Sequence, residues 1–199
     1  MSKKKIIISS SDNNYFFLIK ELHLSLKNKG VLDEYDFAIL DTGLKEKQKN
    51  YFKDYNVLIK NAEWNVEVPK YKILGRENLK TQVARAFLPD YFNNYKLYIW
   101  LDADMWLNDI ESFYLYERGA LNDKLTIVPQ SDRAYVKNAN VEWLFGFPKK
   151  IKTINYKNIS KSISKSLGRK YAFHSTLNAG AFAINDNFNI WKCFQKNIK

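Results

Sequence analysis

Histidine and cysteine are almost absent from this chain. Cys193 is the only cysteine, and His23 and His174 are the only histidines. A single thiol builds no disulfide framework and no thiolate zinc site, and two imidazoles leave no multi-histidine centre. Any metal must rest on carboxylates. Long apolar runs are missing as well. Ile6-Ile7-Ile8 follows Lys3, Lys4 and Lys5 in the manner of a signal start, but the run stops at Ser9-Ser10-Ser11-Asp12. That is short of the ~7–15 apolar residues of an export signal. Nothing approaches the ~18 apolar residues of a membrane span. The expectation is a cytoplasmic protein, at most peripheral to a membrane. Arginine is scarce too: Arg76, Arg85, Arg118, Arg133 and Arg169 are the only ones among 32 basic residues. Readers of nucleic acid lean on arginine for bidentate contacts, so nucleic acid ranks last among the partners that a net charge of +11 suggests. Most of the lysines read as solvated surface.

The chain does have core-forming side chains. Over 199 residues it is 46% hydrophobic and 16% aromatic, which excludes disorder as a description of the whole and fits one domain over 1–199. Strand and helix patterns alternate along it. Lys5 to Ser10 reads as a buried strand, Asp12-Asn13-Asn14 as a turn and cap, and Tyr15 to Lys27 as a helix that Gly30 ends. Tyr35 to Leu40 reads as a strand, Gly43 to Tyr55 as a helix, and Asn56 to Lys60 as a strand. Glu77 to Leu88 reads as a helix stopped near Pro89, Lys96 to Leu101 as a strand, and Ile110 to Glu117 as a short helix. Leu125 to Val128 and Ala179 to Ile184 read as strands, and the last residues as a helix. The alternation predicts an α/β fold around a mostly parallel sheet.

Three motifs sit at strand ends. Asp102-Ala103-Asp104 follows Leu97-Tyr98-Ile99-Trp100-Leu101, a run expected to be buried on both faces. Carboxylates just beyond such a strand are costly without partners. Residues i and i+2 of an extended chain point to one side, so Asp102 and Asp104 can converge. Open α/β sheets bind ligands at the carboxyl ends of their strands, and paired oxygen donors there suit Mg²⁺ or Mn²⁺ with substrate phosphates. The alternative is a turn that uses Asp for backbone hydrogen bonds. Ser11-Asp12-Asn13-Asn14-Tyr15 ends the first strand on the same sheet edge. Asp12 can accept from a base or ribose and Tyr15 can stack a base, or the pair can be a cap followed by a core aromatic. Asn178-Ala179-Gly180 opens a strand of small residues that admits ligand or backbone closely, with tight sheet packing as the other reading.

In order and approximate spacing these segments resemble glycosyltransferase family 8, the glycogenin and lipopolysaccharide galactosyltransferase-like enzymes of the GT-A fold. Ala84-Arg85-Ala86-Phe87-Leu88-Pro89 resembles that family's arginine-bearing helix, Asp102-Ala103-Asp104 its signature, and Asn178-Ala179-Gly180 its Asn-Ser-Gly segment. The resemblance implies a single GT-A domain that transfers a sugar from a nucleotide-sugar, a UDP-sugar, to a hydroxyl of a glycan or glycolipid, with retention at the anomeric carbon. It implies Mn²⁺ or Mg²⁺ on Asp102 and Asp104, the nucleotide against Asp12 and Tyr15, and Arg85 near the diphosphate or donor sugar. Ala103 and Gly180 belong to the donor site, and Asn178 is the candidate catalytic residue beside donor or acceptor sugar. Two later family segments, an acidic one and a His-bearing one that supplies a third metal ligand, have no counterpart before Lys199. The domain is therefore read as lacking the usual C-terminal segment. His174 precedes Asn178, out of order for that ligand, and reads as a partly buried histidine.

From Trp143 to Asn185 there is no Asp or Glu, while Lys149, Lys150, Lys152, Lys157, Lys161, Lys165, Arg169 and Lys170 are all basic. Ile159, Ile163 and Leu167 recur at i+4. Residues 149–170 thus read either as an amphipathic surface on anionic lipid or as a surface helix with solvated lysines. Rival functions are a catalytically inactive GT-A-like binding or scaffold protein and a haloacid dehalogenase-type phosphatase, whose Asp-x-Asp sits on the first strand. A nucleotidyltransferase is a third rival; its first-strand loop is Gly-rich, and Ser9-Ser10-Ser11-Asp12 has no glycine.

Overall fold

The structure is a computed structural model that describes residues 4–130 and 139–198; Arg133 lies outside them. The elements in chain order are β1 (Lys5–Asp12), α1 (Phe16–Asn28), β2 (Asp36–Gly43), α2 (Glu46–Lys53), β3 (Leu58–Asn61), α3 (Lys70–Ile73), α4 (Lys80–Ala84), α5 (Leu88–Tyr91), β4 (Leu97–Leu101), α6 (Ile110–Ala120), β5 (Thr126–Pro129), β6 (Ala139–Leu144), β7 (Phe147–Thr153), α7 (Ile154–Ser162), α8 (Lys165–Lys170), β8 (Leu177–Asn185) and α9 (Phe188–Ile198). The chain divides into two compact units, Met1–Ile127 with Gly180–Lys199, and Val128–Ala179.

The first unit is the expected α/β architecture. Its sheet has the order β3-β2-β1-β4-β8-β5. Strands β1 to β4 pair in parallel, and β8 runs antiparallel to β4, with Trp100 opposite Phe182 and Leu101 opposite Ala181. Side chains alternate faces along a strand, and the two apolar layers follow that period. Ile7, Ile39, Leu97 and Ile99 pack with Ile19, Leu22 and Leu26 of α1, Phe52 of α2 and Phe113 of α6. Ile6, Ile8, Leu40, Tyr98 and Trp100 pack on the other side with Ala84, Leu88 and Trp191. Ile6, Ile7, Ile8, Ile99 and Trp100 have no exposed surface, as continuous apolar strands covered on both faces must. β2 and β3 lie to one side of β1 and β4 to the other. Between the carboxyl ends of β1 and β4 the order therefore reverses, which is where open α/β sheets form a crevice.

Several local expectations shift for identifiable reasons. The helix expected from Gly43 starts at Glu46, because the buried Asp41 carboxylate accepts the N–H groups of Gly43 (2.7 Å) and Leu44 (2.6 Å) and holds them in a loop. Pro89 does not stop the helix there. The chain tightens to a 3₁₀ turn at Arg85–Phe87, and Pro89 then falls in the first turn of α5, where its missing N–H costs nothing.

In the second unit β6 and β7 form an antiparallel hairpin that the alternation does not reveal. Residues 149–170 are not one amphipathic helix. Lys149 to Thr153 belong to β7, and the helical part is split at Ile163. Ser164 is extended there (φ −163°, ψ 155°), and its hydroxyl accepts the Leu167 N–H to cap α8. Gly168 meets Ser160 so closely that a Cβ would collide, which accounts for a glycine inside α8. No helix among the described residues is long and apolar enough to cross a membrane.

His23 of α1 carries a cost of its own. It is 1% exposed, with the rings of Phe37, Phe52 and Tyr55 at 5.0–5.9 Å. Burial, helped by the nearby Lys27 charge, lowers its pKa to about 4. Between that value and the ordinary ~6.5 the unfolded chain holds a proton that the folded chain does not. Stability is thus complete above about pH 6.5 and is lost as pH falls toward 4, by on the order of 3 kcal/mol. Urea unfolding of the wild type against His23→Leu across this range checks it. The variant should lose most of the slope, and an identical slope in both proteins would remove His23 as the cause.

Candidate functional site

The crevice between β1 and β4 holds a cavity of about 230 Å³ lined by Ser10, Ser11, Asp12, Tyr15, Thr42, Asn78, Thr81, Gln82, Asp102, Ala103 and Asp104. The chain leaves β1 at Asp12, whose Oδ1 accepts the N–H groups of Asn14 (2.8 Å) and Tyr15 (2.9 Å). This Asx turn carries the chain into α1 and places Tyr15, 52% exposed, at the rim. Asp12 thus makes a turn and does not cap α1, whose N-cap is Tyr15 with no side-chain cap, and Tyr15 is not a core aromatic. Opposite them, β4 ends and the main chain turns through Asp102-Ala103-Asp104. The Asp102 N–H donates to the Gly180 carbonyl (2.7 Å), which ties the motif to β8.

The Asp102 carboxylate is held from beneath. Its Oδ1 accepts from Arg85 Nη2 (2.7 Å) and from the Trp100 indole (2.8 Å). The Arg85 guanidinium also lies 4.7 Å from the Trp100 ring centroid. Arg85 is buried, with 7% of its surface exposed. It supports the cavity floor through Asp102 and is not among the lining residues. Burial disfavours both charged forms. It pushes the Asp102 carboxyl above its ordinary value; Arg85 and the Trp100 N–H oppose this, and the Asp104 charge adds to it. Burial likewise pushes Arg85 down, offset by Asp102. The floor of the site is thus a carboxylate whose negative charge is incompletely matched.

Among the described residues no group of three His, Cys, Asp or Glu side chains forms a metal site. The residues that could hold a cation are Asp102 and the exposed Asp104, close enough that Asp104 raises the Asp102 pKa. Two carboxylates fit Mg²⁺ or Mn²⁺, ions that keep several waters and take further oxygens from substrate phosphates.

Asp12, Tyr15, Asp102, Ala103 and Asp104 are thus brought together, and Gly180 joins them through its carbonyl. Asn178 is half-buried on the part of β8 that belongs to the second unit. His174 of that unit is exposed, not partly buried, with its ring 5.0 Å from Tyr171. The wall formed by Asn78, Thr81 and Gln82 is one that the motifs do not point to. Their spacing with Arg85 is i, i+3, i+4, i+7, a polar stripe on one helical face and the signal that could have found them. A hydroxyl pair, Ser10 and Thr81 (2.6 Å), joins that face to β1. Nothing in the sequence marks Trp100 as the partner of Asp102.

This support predicts a ranking of variants. Arg85→Met leaves Asp102 facing a buried apolar group, while Asp102→Asn keeps an oxygen for both donors. Breaking a fully buried pair costs about 3–5 kcal/mol, and this one is reduced because the Asp102 side chain is 34% exposed. Arg85→Met should lose on the order of 2–3 kcal/mol in urea unfolding and Asp102→Asn clearly less. Wild-type stability in Arg85→Met would mean the pair does not support the site.

No protein-family model matches the chain, and no curated protein matches it by sequence. Solved structures do match in fold. An active-site mutant of LgtC superposes with a TM-score of 0.56 at 16% identity, covering 98% of this chain and 65% of that one. Galactosyltransferase LgtC in complex with donor and acceptor sugar analogs gives 0.55 at 18%, over 98% and 66%. The bifunctional glycosyltransferase WbbM gives 0.54 at 13%, over 100% and 34%. The 4-diphosphocytidyl-2C-methyl-D-erythritol synthase from Anaerococcus prevotii gives 0.52 at 10%, over 98% and 76%. This chain spans about two thirds of the length of LgtC. With its mainly parallel sheet and its strand-end cavity, it has the GT-A fold of nucleotide-sugar transferases.

Proposed function

We propose that this chain binds a nucleotide-sugar, a UDP-sugar, in the cavity between β1 and β4 and transfers the sugar to a hydroxyl of a glycan or glycolipid. The observation that carries this reading is the convergence of Asp12 and Tyr15 with Asp102, Ala103 and Asp104 around one crevice. Tyr15 offers its exposed ring to the base. Ser11, Thr42, Asn78 and Gln82 offer donors and acceptors for ribose and sugar hydroxyls. Asp102 and Asp104 hold Mn²⁺ or Mg²⁺. Arg85 acts through Asp102 as a positioning residue. Gly180 keeps the Asp102 backbone in place, and Asn178 serves the donor or acceptor sugar. Retention at the anomeric carbon follows from the family resemblance.

Electrostatics supports metal dependence. The lining contains three carboxylates, those of Asp12, Asp102 and Asp104, and no Lys or Arg. A diphosphate placed there meets negative charge, which a divalent cation largely offsets while bridging to the phosphates. When bound, that ion stabilises the charge that develops on the departing diphosphate. A raised Asp102 pKa also makes cation binding fail earlier on the acid side than an ordinary aspartate would.

The likeness to the erythritol synthase keeps nucleotidyl transfer as a second reading, since the fold accommodates both reactions. Calorimetric titration of UDP and of nucleoside triphosphates, with and without Mn²⁺, separates them. The expected result is UDP binding that requires Mn²⁺ and weakens about tenfold or more in Asp102→Asn/Asp104→Asn. Preference for a triphosphate would favour nucleotidyl transfer. Metal-independent UDP binding, or none, would overturn the assignment of this pair. Binding without turnover of any donor sugar would leave the inactive binding protein.

A further inference from the structure

The hairpin of the second unit ends in large apolar side chains that stand in solvent. Trp143 is 65% exposed, Leu144 47%, Phe145 92% and Phe147 75%. Leu144 pairs with Phe147 across the two-residue turn Phe145-Gly146, whose φ values are 49° and 81°. Both central residues of such a turn lie in the left-handed region, where Asn, Asp and Gly are at home and a bulky aromatic is strained. Phe145 therefore serves no need of the turn itself. The ring stands at the apex with its surface in water.

The chain that follows this apex carries charge of one sign. Lys149, Lys150 and Lys152 follow on β7, Lys157 and Lys161 on α7, and Lys165, Arg169 and Lys170 on α8. No Asp or Glu occurs from Trp143 to Asn185, and Glu142, the nearest acid, is ion-paired with Lys152. An apolar tip followed by a lysine-rich strand, with the adjacent acid ion-paired, matches an anionic bilayer. Trp and Phe partition into the interfacial region, and lysines meet the headgroups there. A groove for a peptide or a broad face for a second copy would present a larger and less uniformly charged surface than this apex.

We propose that the β6–β7 hairpin is a membrane anchor: Trp143, Leu144, Phe145 and Phe147 insert into an anionic lipid surface while Lys149, Lys150 and Lys152 of β7 meet its headgroups. The inference is independent of the donor site, because it uses no residue of the cavity. It also moves the lipid-contacting surface from one amphipathic helix over 149–170, which the structure replaces with a strand and two short helices, to a hairpin tip.

The test is co-sedimentation with vesicles of phosphatidylcholine alone and of phosphatidylcholine with phosphatidylglycerol, using wild type and Trp143→Ser/Phe145→Ser/Phe147→Ser. These side chains are exposed, so the variant should keep its fold, and circular dichroism checks that. Wild type should bind only the anionic vesicles, and the variant should bind about tenfold less although its charge is unchanged. Quenching by brominated lipid should fall in Trp143→Phe. Equal binding of wild type and tip variant would show that net charge alone is at work and would overturn the proposal. So would absence of wild-type binding, or a wild-type dimer that the tip substitutions dissociate without any vesicle binding.

Discussion

One half-buried carboxylate sets the geometry of the candidate site. Strand β4 is covered on both faces and flanked by β1 and β8, so its end cannot move independently of the sheet. The chain then places Asp102 at the boundary between core and crevice, where an unmatched charge is expensive. Arg85 and the Trp100 indole both answer it at Oδ1. To do so, Arg85 must be buried against the sheet, and this draws in the whole helical run that carries it. Asn78, Thr81 and Gln82 follow on the same helical face and become a wall of the cavity. The second wall follows from the first strand, where Asp12 anchors the turn that presents Tyr15. Support and lining are thus one connected arrangement.

This arrangement explains which features are legible in the sequence. Ile6-Ile7-Ile8 and Leu97 to Leu101 announce buried strands because covered parallel strands need no polar face. Asp102 comes directly after the second of these runs, and a carboxylate in that position stands out from its neighbours in the sequence alone. The parts that stay hidden depend on partners distant in sequence. The family resemblance puts Arg85 near the diphosphate, and what buries it is an approach to Trp100 that no spacing reveals. Asp41 shortens the following helix by capturing two backbone N–H groups, a competition that apolar periodicity does not report. The β6–β7 hairpin escapes because β7 carries Lys149, Lys150 and Lys152 on both faces and its turn is built from Phe145-Gly146.

The net charge also changes meaning once it is located. A value of +11 suggests a protein that attracts anions everywhere. The cavity contradicts this, because its ionisable lining is entirely acidic apart from the phenol of Tyr15. A long acid-free segment of the second unit instead gathers lysines on β7, α7 and α8. The two charge regions therefore call for different partners. Under the proposed function, the acidic crevice takes an anionic nucleotide together with a divalent cation that offsets its carboxylates. The basic segment, on the proposed membrane reading, needs no cation. On these proposals, metal dependence and salt dependence are separable properties. Removing a cation with a chelator should affect the first region alone, whereas raising ionic strength should weaken exposed lysine contacts well before it weakens carboxylate–cation bonds.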